Sequence, residues 1–325
     1  MTPEDQALVL DWGTKESPTC KLIFVKTNDE RTGPMRGFID TICGFFPGII
    51  LKIEKEEQGI PAIHVGENIS YHAIPEGAEL ALFLKAVSGI SNNAPSSLFS
   101  RTIDPATLPL PARLKIFIAP HCPFCPAQVE PLIALACQVK SIHLEVIDGT
   151  MFQEMSEKYK VQSAPTVILD DRVTWTGKTP FQEILSMIRD RDPASMGPKT
   201  LEGILQKGEA FQLAAMMIEQ EKIFPALIEL MIKAIWSVRL GAMVVFEALA
   251  EEAPSLGREA IRLLFARLPE VTDPKAKGDI VYLAGLCGDG TLLPILEKMM
   301  GEANMDDELQ EAIQEAITTI KKGGD

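Results

Sequence analysis

Cys122 and Cys125 are separated by two residues in the stretch Ala119–Pro126. They follow an apolar run, Leu114–Ile118, that predicts a buried strand, and they precede helix-spaced apolar residues over Ala127–Val139. A thiol at the start of a helix lies near unpaired backbone N–H groups and the positive end of the helix dipole, and both favour the thiolate. The spacing therefore predicts disulfide exchange, in which Cys122 attacks and Cys125, nearly one turn further on, resolves the mixed disulfide.

The residues around the two cysteines extend this prediction. Pro123 and Phe124 separate the thiols and are predicted to line the substrate site. His121 could tune the thiolate by its charge, although a residue before such a motif is more commonly just exposed. A zinc site is the alternative, but structural zinc takes four ligands, and the sequence has no second cysteine pair of this spacing and no paired histidines. We therefore predict no metal and no cofactor beyond a redox-active Cys122–Cys125 disulfide.

The segment downstream completes a pattern. Ser163–Thr166 contains a proline and leads into three further predicted elements, which are the strands Val167–Leu169 and Val173–Trp175 and the helix Phe181–Ile188. The stretch from Lys115 to about Arg191 resembles a thioredoxin or glutaredoxin domain. The resemblance implies that Pro165 occupies the cis-proline position of that family and that Ala164 offers backbone groups to the bound substrate.

Residues 1 to about 90 contain a weaker copy of the same pattern. The apolar run Lys21–Lys26 corresponds to Lys115–Pro120 at an offset of 94, and Pro61–Leu84 aligns without gaps to Pro165–Ile188 at an offset of 104. Asn28 and Arg31 stand where the second copy has its two cysteines, so the first copy lacks the thiols for exchange. We expect two tandem thioredoxin-like units, a degenerate one over 1–95 and an active one over 96–195.

This arrangement resembles the protein disulfide oxidoreductases of archaea and some bacteria, and also the N-terminal domain of the alkyl hydroperoxide reductase flavoprotein. Ile74–Glu79 looks like the Pro-x-Gly-x-Glu turn of those tandem proteins. The resemblance covers residues 1 to about 195. It departs in one respect from thioredoxins, which place a buried acid on the strand before the cysteines, because Ile116–Ile118 contains no carboxylate. The group that takes the proton of Cys125 is therefore left open.

Residues 196–325 change to a purely helical pattern, which we predict to be a third domain. Breaks fall at Phe224-Pro225, Pro254-Ser255, Thr272–Pro274, Gly288–Gly290 and Gly301–Asp306, so that helix pairs recur every 30 to 37 residues or so. The segment Lys277–Leu283 followed by Gly288-Asp289 looks like a HEAT repeat, so we expect an α-solenoid of helix pairs. Residues 91–113 are a predicted connector with one short helix, and a second boundary falls at 190–198.

Composition limits the possible partners. The net charge of the 325 residues is −14, which argues against a nucleic-acid backbone or an anionic membrane as the main partner. The N-terminus has no basic segment followed by an apolar core, and no run of about 18 apolar residues suggests a membrane span, so a cytoplasmic protein is expected. We predict that the remaining cysteines are structural, namely Cys20, Cys43, Cys137 and Cys287. Two aromatic residues, Tyr71 and Trp175, are predicted to be in the core.

Three functions fit the sequence. The first is a dithiol–disulfide oxidoreductase acting on protein disulfides, whose helical domain selects the partner. The second is an electron shuttle that is reduced by a thioredoxin-reductase-like flavoprotein and passes electrons to a peroxidase. The third is a redox-sensing adaptor without turnover. The sequence leaves the substrate, the reductant and the oligomeric state open.

Overall fold

The computed structural model describes residues 1–16, 18–91, 104–108, 110–233, 235–301 and 307–323. The chain divides into two compact units, one that ends at Arg191 and one that begins at Asp192. The first unit is mixed α/β and the second is helical. Each unit has its own cluster of buried apolar side chains.

The first unit alternates strands and helices. Its strands are β1 Cys20–Lys26, β2 Ile49–Lys55, β3 Ala62–Val65, β4 Ile69–His72, β5 Ala112–Ile118, β6 Ile142–Asp148, β7 Thr166–Leu169 and β8 Val173–Thr176. Its helices are α1 Pro3–Glu16, α2 Thr32–Phe45, α3 Ala78–Ser91, α4 Cys125–Gln138, α5 Gln153–Lys158 and α6 Phe181–Asp190. The elements predicted around the two cysteines and after Pro165 are all present. Most of the predicted connector lies outside the described residues, but Pro105–Thr107 forms one 3₁₀ turn, capped by Asp104.

The strands form a single sheet in the order β2-β1-β3-β4-β6-β5-β7-β8. Within each half, a central strand pairs in parallel with one neighbour and antiparallel with the other, and a hairpin follows: β1 with β2 and β3, then β5 with β6 and β7. The halves join through parallel pairing of β4 with β6. Almost every residue of β5 is buried, as expected for a strand with both faces covered.

The sheet is shared by the two halves of the first unit, in which tandem units were predicted over 1–95 and 96–195. Both halves contribute to one core, and Arg31 adds a polar connection between them. Its guanidinium lies 2.7 Å from the carboxylate of Glu154 and donates to the Met151 carbonyl oxygen at 2.9 Å. Asp29 pairs with the same guanidinium. The residue that replaces Cys125 in the first half therefore holds the two halves together.

The second unit is helical, and four of its described α-helices begin at a proline. Its helices are α7 Pro198–Gln206, α8 Ala210–Gln220, α9 Pro225–Lys233, α10 Trp236–Glu252, α11 Pro254–Ala266, α12 Pro274–Cys287, α13 Leu293–Met300 and α14 Asp307–Gly323. Proline suits the first helical turn because its missing N–H has no partner there. Asp273 caps α12 by accepting from the Lys275 N–H, and Gly288 ends this helix at φ 63°. The predicted break at 301–306 lies largely outside the described residues.

Among the described residues, no helix combines the length and the apolar character that crossing a membrane requires.

The separate cores predict that the first unit folds without the second. A protein that ends at Asp192 keeps Phe24, Phe83, Phe117 and Phe152, which are all fully buried in the first core. We expect it to unfold in one cooperative transition, measured by near-ultraviolet circular dichroism against denaturant. A truncated protein that shows helix and strand signals but no cooperative transition would contradict this expectation.

Candidate active site

The turn between β5 and α4 presents the two thiols. The Cys122 N–H donates to the Ala119 carbonyl oxygen at 3.2 Å, which closes a turn directly after the strand. His121, inside that turn, has φ 60°, a left-handed conformation that is uncommon for a residue with a side chain. The helix begins at Cys125, so Cys122 precedes it rather than forming its first residue. This corrects the expectation that Cys125 lies one turn inside the helix.

The two thiols differ in their access to solvent. Cys122 is half-buried, and its Sγ lies 3.7 Å from the Ala164 carbonyl oxygen. Cys125 is fully buried at 0% exposure. Burial, followed by a hydrogen bond with the Cys122 sulfur, raises the pKa of Cys125 to about 12. An incoming disulfide can therefore reach Cys122, while Cys125 lies behind it as a protonated thiol.

The proline loop lies against Cys122. The Ala164–Pro165 peptide bond is cis, as the resemblance implied. Pro165 is buried, and its carbonyl oxygen accepts from the Gly177 N–H at 2.7 Å. The 3.7 Å contact between Cys122 Sγ and the Ala164 carbonyl oxygen places the backbone of Ala164 beside the accessible thiol.

The residues predicted to line the substrate site surround Cys122 unevenly. Phe124 is 62% exposed, an unusual state for a large apolar side chain. Pro123 and His121 are exposed as well. A cavity of about 430 Å³ opens beside Cys122, and His121 is part of its wall, whereas Pro123 and Phe124 are not. Cys122 therefore has an apolar exposed surface on one side and a cavity on the other.

Glu79 is the site residue that the sequence analysis did not find. It lies at the start of α3, a helix of the first half of the unit, and lines the same cavity as Cys122. Burial raises the pKa of Glu79 to about 7, and its Oε1 is buried without a hydrogen-bond partner among the residues that the structure describes. Its charge also contributes to raising the pKa of Cys125, so the two groups interact. Its position in the Ile74–Glu79 turn was the signal that could have identified it.

Asp5 fixes the wall that carries Glu79. Its carboxylate accepts from the Gly77 N–H at 2.9 Å and from the Thr2 N–H at 3.0 Å. These bonds join the start of α1 to the turn before α3. The cavity is thus built from the N-terminal helix, from the first half of the sheet and from the cysteine turn of the second half.

The other four cysteines differ in burial: Cys20 and Cys43 are half-buried, as Cys122 is, but neither is part of the described lining of its cavity. Cys137 and Cys287 are buried, and burial raises the pKa of each to about 12. Burial also raises the pKa of Cys43 to about 11. The described residues contain no group of three or more His, Cys, Asp or Glu side chains placed to hold a metal ion.

The two aromatic residues predicted to be in the core differ. Tyr71 is 1% exposed and packs edge-on against Phe83 in the first half of the sheet. Trp175, at the matching position of the second half, is only partly buried, and its Nε1 donates to Glu183 at 3.0 Å. The prediction for Trp175 was therefore too strong, because β8 is an edge strand with one face open.

The thioredoxin domain family matches residues 112–189, from the first residue of β5 into the last turn of α6. This stretch is a thioredoxin-like domain, and it contains both Cys122 and Cys125.

Similarity to curated proteins extends further along the chain. The alkyl hydroperoxide reductase AhpF of Staphylococcus epidermidis is 26% identical over 173 residues, which are 52% of this chain and 34% of that protein. The same protein from Staphylococcus aureus is 27% identical over an equal share of both chains. This chain therefore spans about a third (34%) of the length of these relatives.

Two solved structures overlap with the first unit. The NTD_N/C domain of alkylhydroperoxide reductase AhpF from Enterococcus faecalis has a TM-score of 0.49 and 19% identity, and covers 58% of this chain and 100% of that one. A protein disulfide oxidoreductase from Aeropyrum pernix K1 has a TM-score of 0.47 and 14% identity, and covers 58% of this chain and 92% of that one.

The unequal burial of the thiols predicts unequal reactivity. With Cys125→Ser, the remaining thiol of the pair is the accessible Cys122, and we expect it to react with iodoacetamide at neutral pH. With Cys122→Ser, the remaining Cys125 is buried and protonated, and we expect alkylation to be slower by about tenfold or more. Peptide mass spectrometry of timed samples measures both rates. If Cys125 reacts faster, the assignment of the attacking thiol is wrong.

Proposed function

We propose that this protein is a dithiol–disulfide oxidoreductase that acts on protein disulfides. The observation that carries the proposal is the pair formed by half-exposed Cys122 and fully buried Cys125, hydrogen-bonded to each other beside an open cavity. One thiol is accessible to a substrate, and the other is buried beside it. Two-step disulfide exchange requires such a pair, an accessible thiol that attacks and a neighbouring thiol that resolves the mixed disulfide.

The proposed reaction has two steps. The Cys122 thiolate attacks one sulfur of the substrate disulfide, which forms a mixed disulfide and releases the first substrate thiolate. Cys125 then loses its proton and attacks the Cys122 sulfur, which releases the second substrate thiolate and leaves a Cys122–Cys125 disulfide. The substrate gains two electrons and the protein dithiol loses two. A dithiol reductant must return them before the next turnover.

Glu79 is proposed to accept the proton of Cys125 in the second step. A thiol with a pKa of about 12 is almost fully protonated at neutral pH, so the resolving step needs a base. Glu79 lines the cavity, interacts electrostatically with Cys125, and has a pKa of about 7. A group with this pKa can accept and release a proton near neutral pH. The proton transfer could be direct or pass through a water molecule.

The redox partner and the helical unit complete the proposal. Similarity to the alkyl hydroperoxide reductase AhpF over 173 residues favours a second candidate function. In that function the dithiol shuttles electrons from a thioredoxin-reductase-like flavoprotein to a peroxidase. In both functions we assign partner selection to the second unit, as a HEAT-like repeat domain. A cytoplasmic location suits a protein whose six cysteines are free thiols.

Reduction of insulin disulfides tests the chemistry. We expect the protein to accelerate insulin reduction by dithiothreitol, measured as turbidity, and we expect Cys122→Ser to abolish this acceleration because the attacking sulfur is lost. Cys137→Ser, a matched control in the same helix, should keep most of the activity. Cys125→Ser should instead accumulate mixed disulfides with protein partners. A Cys122→Ser protein with unchanged activity would refute the proposal, and the redox-sensing adaptor would take its place if the wild type were inactive.

The pH dependence tests Glu79. In the wild type, the rate of resolution of a mixed disulfide at Cys122 should rise with pH and bend near pH 7, the pKa of Glu79, at which half of the carboxyl groups are ionised. With Glu79→Gln we expect slower resolution, by about 10²-fold or more at pH 7, and no bend. Stopped-flow release of a thionitrobenzoate leaving group measures this step. A profile that keeps its bend in the variant would exclude Glu79 as the base.

The same substitution has a stability signature with a defined sign. Burial raises the pKa of Glu79 above its usual 4.5 to about 7. Between these two values the unfolded chain has already lost the proton that the folded protein still holds, so stability falls as pH rises from 4.5 to 7. Glu79→Gln removes this loss. The free energy of unfolding of the variant should therefore exceed that of the wild type by about 3 kcal/mol at most at pH 8, and by little at pH 4. Urea denaturation at the two pH values measures the difference.

A further inference from the structure

The cavity beside Cys122 has an acidic wall. Five of the residues that line it carry carboxylates, namely Glu4, Asp5, Glu76, Glu79 and Asp148. His121 is the one basic side chain in the described lining, which contains no lysine or arginine. A disulfide that reaches Cys122 through this cavity therefore approaches a surface of predominantly negative charge.

Two of these carboxylates are held in place by hydrogen bonds. Burial acts against the charge of Asp5, but hydrogen bonds from the Thr2 and Gly77 N–H groups outweigh it and hold the pKa of Asp5 below its usual range. Asp148 accepts from the Thr150 N–H at 2.8 Å and from the Met151 N–H at 3.1 Å. These fixed carboxylates need no rearrangement when a cation approaches.

The remaining carboxylates are closer to solvent. Glu4 is exposed, and the side chain of Glu76 is 55% exposed, with the Met1 amino group at 3.9 Å as its ion-pair partner. Glu79 adds a further charge above its pKa of about 7. The Met1 amino group offsets only part of this charge. The wall therefore keeps an excess of negative charge at neutral and higher pH.

We propose that the dithiol selects disulfides that carry positive charge beside the sulfur atoms, such as a partner segment with lysine or arginine next to its cystine. The proposal rests on the proposed function and adds a substrate class to it. The attraction acts while the substrate approaches and while it is held as a mixed disulfide, because the carboxylates and Cys122 line the same cavity. Anionic disulfides meet the same field as a repulsion.

Three disulfides of one skeleton isolate the charge. Cystamine is cationic, bis(2-hydroxyethyl) disulfide is neutral and bis(2-sulfonatoethyl) disulfide is anionic, and all three have two-carbon arms on each sulfur. The full-length protein is reduced, freed of reductant and mixed with each disulfide at pH 7.5. Acid quenching, alkylation and mass spectrometry measure the rate at which the Cys122–Cys125 disulfide forms. The rate of each disulfide with dithiothreitol, a neutral dithiol, normalises for intrinsic reactivity.

The expected order of normalised rates is cationic, neutral, anionic. At about 0.01 M salt we expect the cationic disulfide to exceed the anionic one by about tenfold or more. At about 1 M salt, where the Debye length falls to about 3 Å, the ratio should approach unity. The neutral disulfide should change little with salt.

Substitutions in the cavity wall distinguish the effect of its local electrostatic field on the rates from the effect of the net charge of the protein. Glu4→Gln and Glu76→Gln each remove one carboxylate at the cavity without touching the proposed proton acceptor, and together they should reduce the ratio by about threefold or more. Glu67→Gln is the matched control, because Glu67 is exposed in the turn that precedes β4, while the cavity begins after the opposite end of β4. It removes the same charge and should leave the ratio unchanged. The neutral disulfide should react equally with all variants.

The outcomes distinguish the two proposals. If all three disulfides oxidise the dithiol at equal normalised rates, or if the anionic one is fastest, the charge selection is wrong and the oxidoreductase function stands. If Glu67→Gln changes the ratio as much as Glu76→Gln, the selection comes from net charge and not from the cavity, and the proposal is overturned. If no disulfide forms the Cys122–Cys125 bond, the proposed function itself fails.

Discussion

The structure of the site depends on the cost of burying a charge. A thiol and a carboxyl that would ionise readily in water are enclosed in the first unit, and burial raises the pKa of Cys125 to about 12 and that of Glu79 to about 7. Neither group alone would be useful in this state, because a protonated thiol does not attack and a neutral carboxyl does not accept a proton. The proposed proton transfer makes them a pair, since Oε1 of Glu79 is buried without a hydrogen-bond partner among the described residues and Cys125 has a proton to give.

This pair exists only because the sheet is continuous. Cys125 belongs to the second half of the sheet and Glu79 to the first, and parallel pairing of β4 with β6 brings the halves together. The first half has no cysteine at the two positions that match Cys122 and Cys125, and Arg31 occupies the position that corresponds to Cys125. Its guanidinium instead binds Glu154 and the Met151 carbonyl oxygen of the second half. In the proposed function, the first half therefore contributes to the second in two ways, by contacts from Arg31 and by the carboxyl group of Glu79.

Local patterns in the sequence predicted the elements of this site but not the way they combine. The strand, the cysteine turn, the helix and the proline loop are all short-range features, and the periodicity of their apolar residues identified them. The offset of 104 between Pro61 and Pro165 also placed the matching hairpins, whose strand pairing repeats in the structure. The functional position of Glu79 depends on a contact between the halves, which no local pattern contains. Its partner in the repeat, Glu183, remains at the surface as the acceptor of an indole N–H, so the repeat alone gave no reason to single out Glu79.

The acidic cavity also shows how a site with few shape constraints can still discriminate. Cys122 lies between an exposed aromatic ring, that of Phe124, and an open cavity, so many polypeptide segments could reach it. Shape would then select weakly, whereas an electrostatic field acts on every approaching segment and does not require a close fit. The same attraction limits how much negative charge is useful, because each added carboxylate also slows the release of a cationic product thiol. The proposed selection therefore favours a wall of limited charge, in which Glu79 is only partly ionised near neutral pH and the Met1 amino group offsets part of the charge of Glu76.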